Sequence, residues 1–100
     1  MQQPIERLRE LGPFPTEADA SDEDVAERQA LVDAIREPLT GDEAEALVLL
    51  LGKAEDSLFG LKWTVVHLIE RAPGWPMADL TNSIGPWQAL LRDRADRRKT

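Results

Sequence analysis

The sequence predicts an all-α fold: a single small bundle of four to five helices joined by Pro/Gly-rich connectors. Three observations predict it. Apolar residues recur three and four positions apart along most of the chain, the spacing that lines one face of a helix. Capping residues open these stretches and Gly or Pro closes them. Strand signals are nearly absent, with no Tyr, no sustained alternation and no Asn-Gly or Asp-Gly between β-branched runs. One hundred residues fit one domain spanning 1–100, with residues 1–20 expected to be partly flexible.

The first helix is expected from Pro4, where a missing N–H does no harm, through Ile5, Leu8 and Leu11 to the stop at Gly12-Pro13. Gly12-Pro13-Phe14-Pro15 reads as an extended connector, because a residue before proline is driven out of the α region. Ser21 offers an N-cap to a second helix, with Asp22, Glu23 and Asp24 in the first turn where the helix dipole favours acids. Val25, Ala26, Gln29, Val32 and Ile35 keep helical spacing to Glu37, and Pro38 ends it. Thr40-Gly41-Asp42-Glu43 is a capping box for a third helix, which becomes apolar on nearly all sides by Leu51 and stops at Gly52. Asp56 or Ser57 caps a fourth, expected from Leu58 to Ala72, with Leu58, Leu61, Val65, Leu68, Ile69 and Ala72 on one face and Phe59 and Val66 widening it. A loop from Pro73 leads to a turn-rich Thr81-Asn82-Ser83, and Pro86 opens a last helix with Trp87, Leu90 and Leu91 turned inward.

The net charge of −7 is unevenly spread. Residues 1–56 hold fifteen acids against five bases, and residues 57–100 hold four against seven, so −10 meets +3. Phosphate neutralisation needs clustered Lys and Arg, so the balance argues against nucleic acid and suits a basic protein partner. The densest acidic run, which includes Asp22, Glu23, Asp24 and Glu27, therefore has two readings: a partner-binding face, or simply a solvated helix start. The basic C-terminal stretch Arg92–Lys99 is interrupted by Asp93 and Asp96 and reads as a solvated helix end.

Chemistry has few places to reside. There is no cysteine, no Gly-rich phosphate loop, and the acidic run lacks the glycine and the twelfth-position Glu of a calcium loop. No metal or cofactor is expected. The single histidine, His67, follows Trp63 by one turn and precedes Glu70 by three residues, so Trp63, His67 and Glu70 form a polar cluster candidate. A His–Glu pair can tune a general base, and it can equally be a structural hydrogen bond. Of the five aromatic residues three are Trp. Trp75 and Trp87, in Pro/Gly-rich surroundings, read either as interface anchors or as lids over a small core. With no cysteine, no basic-apolar leader at the N-terminus and no run of ~20 apolar residues, the expected location is cytoplasmic, with no membrane contact.

The stretch Phe59-Gly60-Leu61-Lys62-Trp63-Thr64-Val65-Val66-His67-Leu68-Ile69-Glu70-Arg71-Ala72-Pro73-Gly74-Trp75-Pro76 resembles a signature of a group of small bacterial helical proteins, F-G-L-x-W-T-x-x-H-L-I-E-x-A-P-G-W-P. Leu39 to Ala44 and Pro86-Trp87 look like the group's flanking features. The resemblance implies an immunity or accessory role beside a larger partner and brings no activity with it. The expected function is thus a non-enzymatic binding module, an immunity-type inhibitor of a basic toxin or nuclease, using Asp22, Glu23, Asp24, Glu27, Trp75 and Trp87. Two other readings compete with it. A homodimeric structural or accessory protein would hide surplus apolar surface around Leu47–Leu51 and Leu58–Ile69. A small enzyme would act through His67 and Glu70.

Overall fold

A computed structural model describes residues 1–52, 54–73, 75 and 85–98, with backbone alone at 96–98. Among these residues are five helices and no strand: α1 (Gln3–Leu11), α2 (Asp22–Asp33), α3 (Gly41–Leu50), α4 (Leu61–Glu70) and α5 (Pro86–Arg98). The all-α bundle is as expected. The turn at Thr81-Asn82-Ser83 and most of the loop after Pro73 lie outside the described residues. Helix α1 packs on α2 and α3, and α4 packs on α3 and α2. Gln88 Nε2 ties α5 to the Val48 carbonyl at 2.8 Å. The radius of gyration, 12.8 Å, is that of a close-packed chain of this length.

The N-terminal region is part of the bundle rather than a loose lead-in. Ile5 and Leu8 are fully buried and Phe14 nearly so. The Phe14 N–H donates to the Leu50 carbonyl at 2.8 Å and so caps the end of α3. Gly52 is needed at this junction. Its φ of +73° lies in the left-handed region, and a Cβ there would stand 3.1 Å from the Phe14 carbonyl oxygen. Arg28 closes the same corner from α2. Its guanidinium donates to Asp24 (3.0 Å), to the Gly12 carbonyl (2.9 Å) and to the Leu11 carbonyl (3.2 Å), and lies 5.4 Å from the Phe14 ring centroid. One buried side chain thus satisfies carbonyls that the end of α1 leaves open.

Helix α2 begins as expected, with Ser21 Oγ accepting from the Asp24 N–H at 3.0 Å. It ends at Asp33, short of the expected Glu37. The reason is Gln2, whose side-chain amide receives the Arg36 N–H (2.8 Å) and donates to the Arg36 carbonyl (3.0 Å). With those groups satisfied outside the helix, the chain unwinds and still buries Ile35 and Leu39. Arg71, past the end of α4, holds this segment through paired hydrogen bonds to Glu37 (2.9 and 3.0 Å), which lower the Glu37 pKa.

The expected capping box of α3 is present in both directions. Thr40 Oγ1 accepts from the Glu43 N–H, while Glu43 Oε1 accepts from the Thr40 N–H at 3.0 Å. Glu43 Oε2 also accepts from the Gln2 N–H at 2.9 Å, so this buried carboxylate joins the chain start to α3. The hydrogen bonds from Thr40 and Gln2 hold its pKa below the ordinary 4.5. A carboxylate whose pKa is depressed by folding contributes stability above its unfolded pKa and loses it as pH falls through the folded value. Glu43→Gln, which keeps one acceptor oxygen, should therefore cost about 1–3 kcal/mol at neutral pH. It should also reduce the stability lost on acidification below pH 4.5, measured by urea unfolding at stepwise lower pH. An unchanged acid limb would show that the carboxylate is not what joins these segments.

Helix α4 starts three residues later than expected. Leu58 (φ 49°), Phe59 (φ 57°) and Gly60 (φ 87°) form a left-handed turn ahead of it. Both cap candidates serve this turn. Asp56 Oδ1 accepts from the Leu58 N–H (3.1 Å) and Ser57 Oγ from the Gly60 N–H (3.0 Å). Leu58 still points into the core, whereas Phe59, expected to widen the apolar face, is 67% exposed. Leu61, Val65, Leu68, Ile69 and Ala72 are buried as their spacing predicts.

Candidate partner-binding surface

The structure sorts the expected site residues into three groups. In the acidic helix start, Asp22 and Glu23 are exposed, while Asp24 pairs with Arg28 at 3.0 Å and Glu27 with Arg7 at 3.1 Å. The last two tie α2 to itself and to α1, so half of the cluster is already used in holding the fold.

Trp75 and Trp87, expected either as interface anchors or as lids, are 9% and 5% exposed. Trp87 Nε1 donates to the Ala54 carbonyl at 3.0 Å. Both rings are buried and offer little surface.

The polar cluster also divides. Glu70 does not bond His67. It receives both Nε and Nη2 of Arg94, at 2.6 and 2.9 Å, locking α4 to α5 and raising the Arg94 pKa. His67 is exposed and lies 6.4 Å from the Trp63 ring, tilted by 41°. A general base oriented by Glu70 is thus not assembled. The open groove along α1 and α2, lined by Gln3, Pro4, Glu6, Arg7, Glu10 and Leu31, holds neither a histidine nor a hydroxyl nucleophile. Among the described residues no group of three His, Asp or Glu side chains could hold a metal, and no helix is long and apolar enough to cross a membrane.

What the structure leaves open around the start of α4 is two aromatic side chains, Trp63 and Phe59. Trp63 is 40% exposed and meets the Trp87 ring edge-on, 5.0 Å between centroids at 80°. Phe59 stands on the preceding turn, its N–H donating to Glu17 Oε2 at 2.9 Å across 42 residues of chain. Within, Lys62 is fully buried, a position the sequence reading missed. Its Nζ donates to the same Ala54 carbonyl as Trp87 (3.1 Å) and sits 5.9 Å from the Trp87 ring. Burial lowers the Lys62 pKa, and the negative charges of Asp56 and Glu17 act in the opposite sense. A signal for it was present. Leu58, Lys62, Val65 and Ile69 fall on one helical stripe, where a lysine must either break the core or find a partner in it.

The surplus apolar surface expected to require a second copy is largely absorbed by the monomer. Leu47, Val48, Leu50 and Leu51 are buried, and Leu49 alone in that run is exposed. Comparisons with protein-family models, with curated proteins and with solved structures returned no match.

Proposed function

We propose that this chain is a non-enzymatic binding module that holds a basic protein partner on the face carrying Phe59 and Trp63. The observation that carries this is the exposure of two large aromatic side chains on adjacent turns, one of them held outward by left-handed backbone at non-glycine residues. Such backbone costs about 1–3 kcal/mol per residue and persists where the surroundings enforce it, typically at sites of function. Exposed aromatics on rigid elements are the usual anchors of interfaces. The excess of acids over bases in residues 1–56 suits a basic partner, with Asp22 and Glu23 contributing to long-range attraction. The resemblance noted for residues 59–76 favours an immunity-type inhibitor of a basic toxin or nuclease as the specific form of this reading. The engagement of Glu70 by Arg94 weighs against the enzyme reading, and the burial of Leu47, Val48, Leu50 and Leu51 weighs against an obligate homodimer.

Phe59→Gly tests the proposal cleanly, because glycine adopts φ 57° without strain while losing the ring. The variant should melt no lower than the parent. In affinity capture from native lysate at low and high salt, the parent should retain a basic protein at low salt that the variant loses, a weakening of about tenfold or more. Equal capture by both proteins, or recovery of the chain with copies of itself alone, would overturn the proposal.

A further inference from the structure

We infer that this surface recognises a guanidinium: an arginine side chain of the basic partner laid against Phe59 and Trp63, with the Glu17 carboxylate as its counter-charge. The inference rests on the binding-module reading above and narrows it to one chemistry. Its first support is the pair of rings. Phe59 is 67% exposed, and Trp63, although braced by Trp87 and His67, keeps 40% of its surface open.

The second support is the placement of charge. Glu17 Oε2 is fixed at the Phe59 backbone N–H, and its Oε1 makes no hydrogen bond among the described residues. Asp56 lies in the same turn, accepting from the Leu58 N–H. Both carboxylates act on Lys62, whose ammonium is fully buried and cannot be offered to solvent. Among the described residues, Glu17 and Asp56 are the carboxylates that act on Lys62, and both stand at the turn that carries Phe59. Ring faces attract cations through their quadrupole, and a neighbouring carboxylate adds to that attraction.

The third support is shape. A guanidinium is planar, stacks on aromatic rings and sheds water more readily than an ammonium, so it fits a site made of ring surface and one carboxylate. An aliphatic partner residue would leave the Glu17 charge without a counterpart at the contact.

The test is a titration of the full chain, followed by ¹H–¹⁵N spectra, with a capped hexapeptide alternating glycine and arginine. Lysine and citrulline versions of the same peptide serve as comparisons. The Trp63 indole and Phe59 amide resonances should move saturably with the arginine peptide. They should respond at least about threefold more weakly to lysine, and stay in place with citrulline, which keeps the shape and loses the charge. Glu17→Gln should weaken arginine binding about fivefold, while the free-state Phe59 amide keeps its position because the Gln carbonyl still accepts from it. Resonances unmoved by arginine, equal shifts with citrulline, or a lysine peptide binding as tightly would overturn the inference, as would concentration-dependent shifts without peptide, which would identify a second copy as the occupant. If these overturning results appear while Phe59→Gly still abolishes capture, the guanidinium fails and the binding surface stands. If capture also survives Phe59→Gly, both fall.

Discussion

Arg28→Met should destabilise the protein by about 3 kcal/mol or more, the range found when one member of a buried, hydrogen-bonded charge network is removed. Methionine fills similar volume, so little of the loss would come from a cavity. It would come from the part-buried carbonyls of Leu11 and Gly12, which lose their donors, and from Asp24, which loses its partner. An orphaned acceptor costs about 1–3 kcal/mol when fully buried and less where it is part-buried, as these three are. Arg28→Lys should recover only part of the loss, because one ammonium cannot reproduce a fork that reaches three oxygens at once. Urea unfolding followed in parallel by circular dichroism and tryptophan fluorescence would show the midpoint fall with little change in slope. A loss below about 1 kcal/mol would mean that water can replace the guanidinium, and that Phe14 alone holds the connector.

Trp87→Ala should cost about 3–5 kcal/mol, the range for truncating a large buried aromatic. Trp87→Phe should cost far less, about 1 kcal/mol, and the structure says why. The Ala54 carbonyl receives Lys62 Nζ as well as the indole N–H, so losing the second donor does not orphan it. The alanine variant removes more than packing. Trp63 loses the ring that it meets edge-on, and Lys62 loses the aromatic face near its ammonium. Partner capture should therefore fail in Trp87→Ala and survive in Trp87→Phe, at a temperature where both remain folded. If the two variants were equally destabilised, the hydrogen bond and not the packing would be the main contribution of Trp87.

Much of the fold was legible in the sequence because helix formation is largely local. Ser21, the Thr40–Glu43 box and Pro86 mark their helix starts, and each capping side chain satisfies an N–H only a few residues away. The core stripe of α4 follows from spacing alone. Most of the misreadings come from competition by distant residues. Gln2 takes the Arg36 backbone groups and ends α2 early. Glu17 takes the Phe59 N–H, and the local bonds of Asp56 and Ser57 stabilise a left-handed turn where a helix start was expected. Arg94 takes Glu70 away from His67, though those two lie within one helical turn.

The acidic run was visible as charge, but charge alone does not say which members are engaged. Asp24 meets Arg28 one turn further along α2, whereas Glu27 meets Arg7 only once α1 and α2 are packed together. The rings behave in the same way. Trp75 and Trp87 are as polar-tipped and as suited to an interface as Trp63, and burial distinguishes them only after the helices close. By itself, then, the sequence determined an all-helical chain, its main caps and stops, and the absence of cysteine chemistry. Tertiary structure alone decided which aromatics face water, which acids remain open and where Lys62 finds its partner. The physical reason is that periodicity and capping act over a turn or two of chain. Exposure and pairing are set by groups tens of residues apart, whose competition for the same hydrogen bonds is resolved only when the bundle forms.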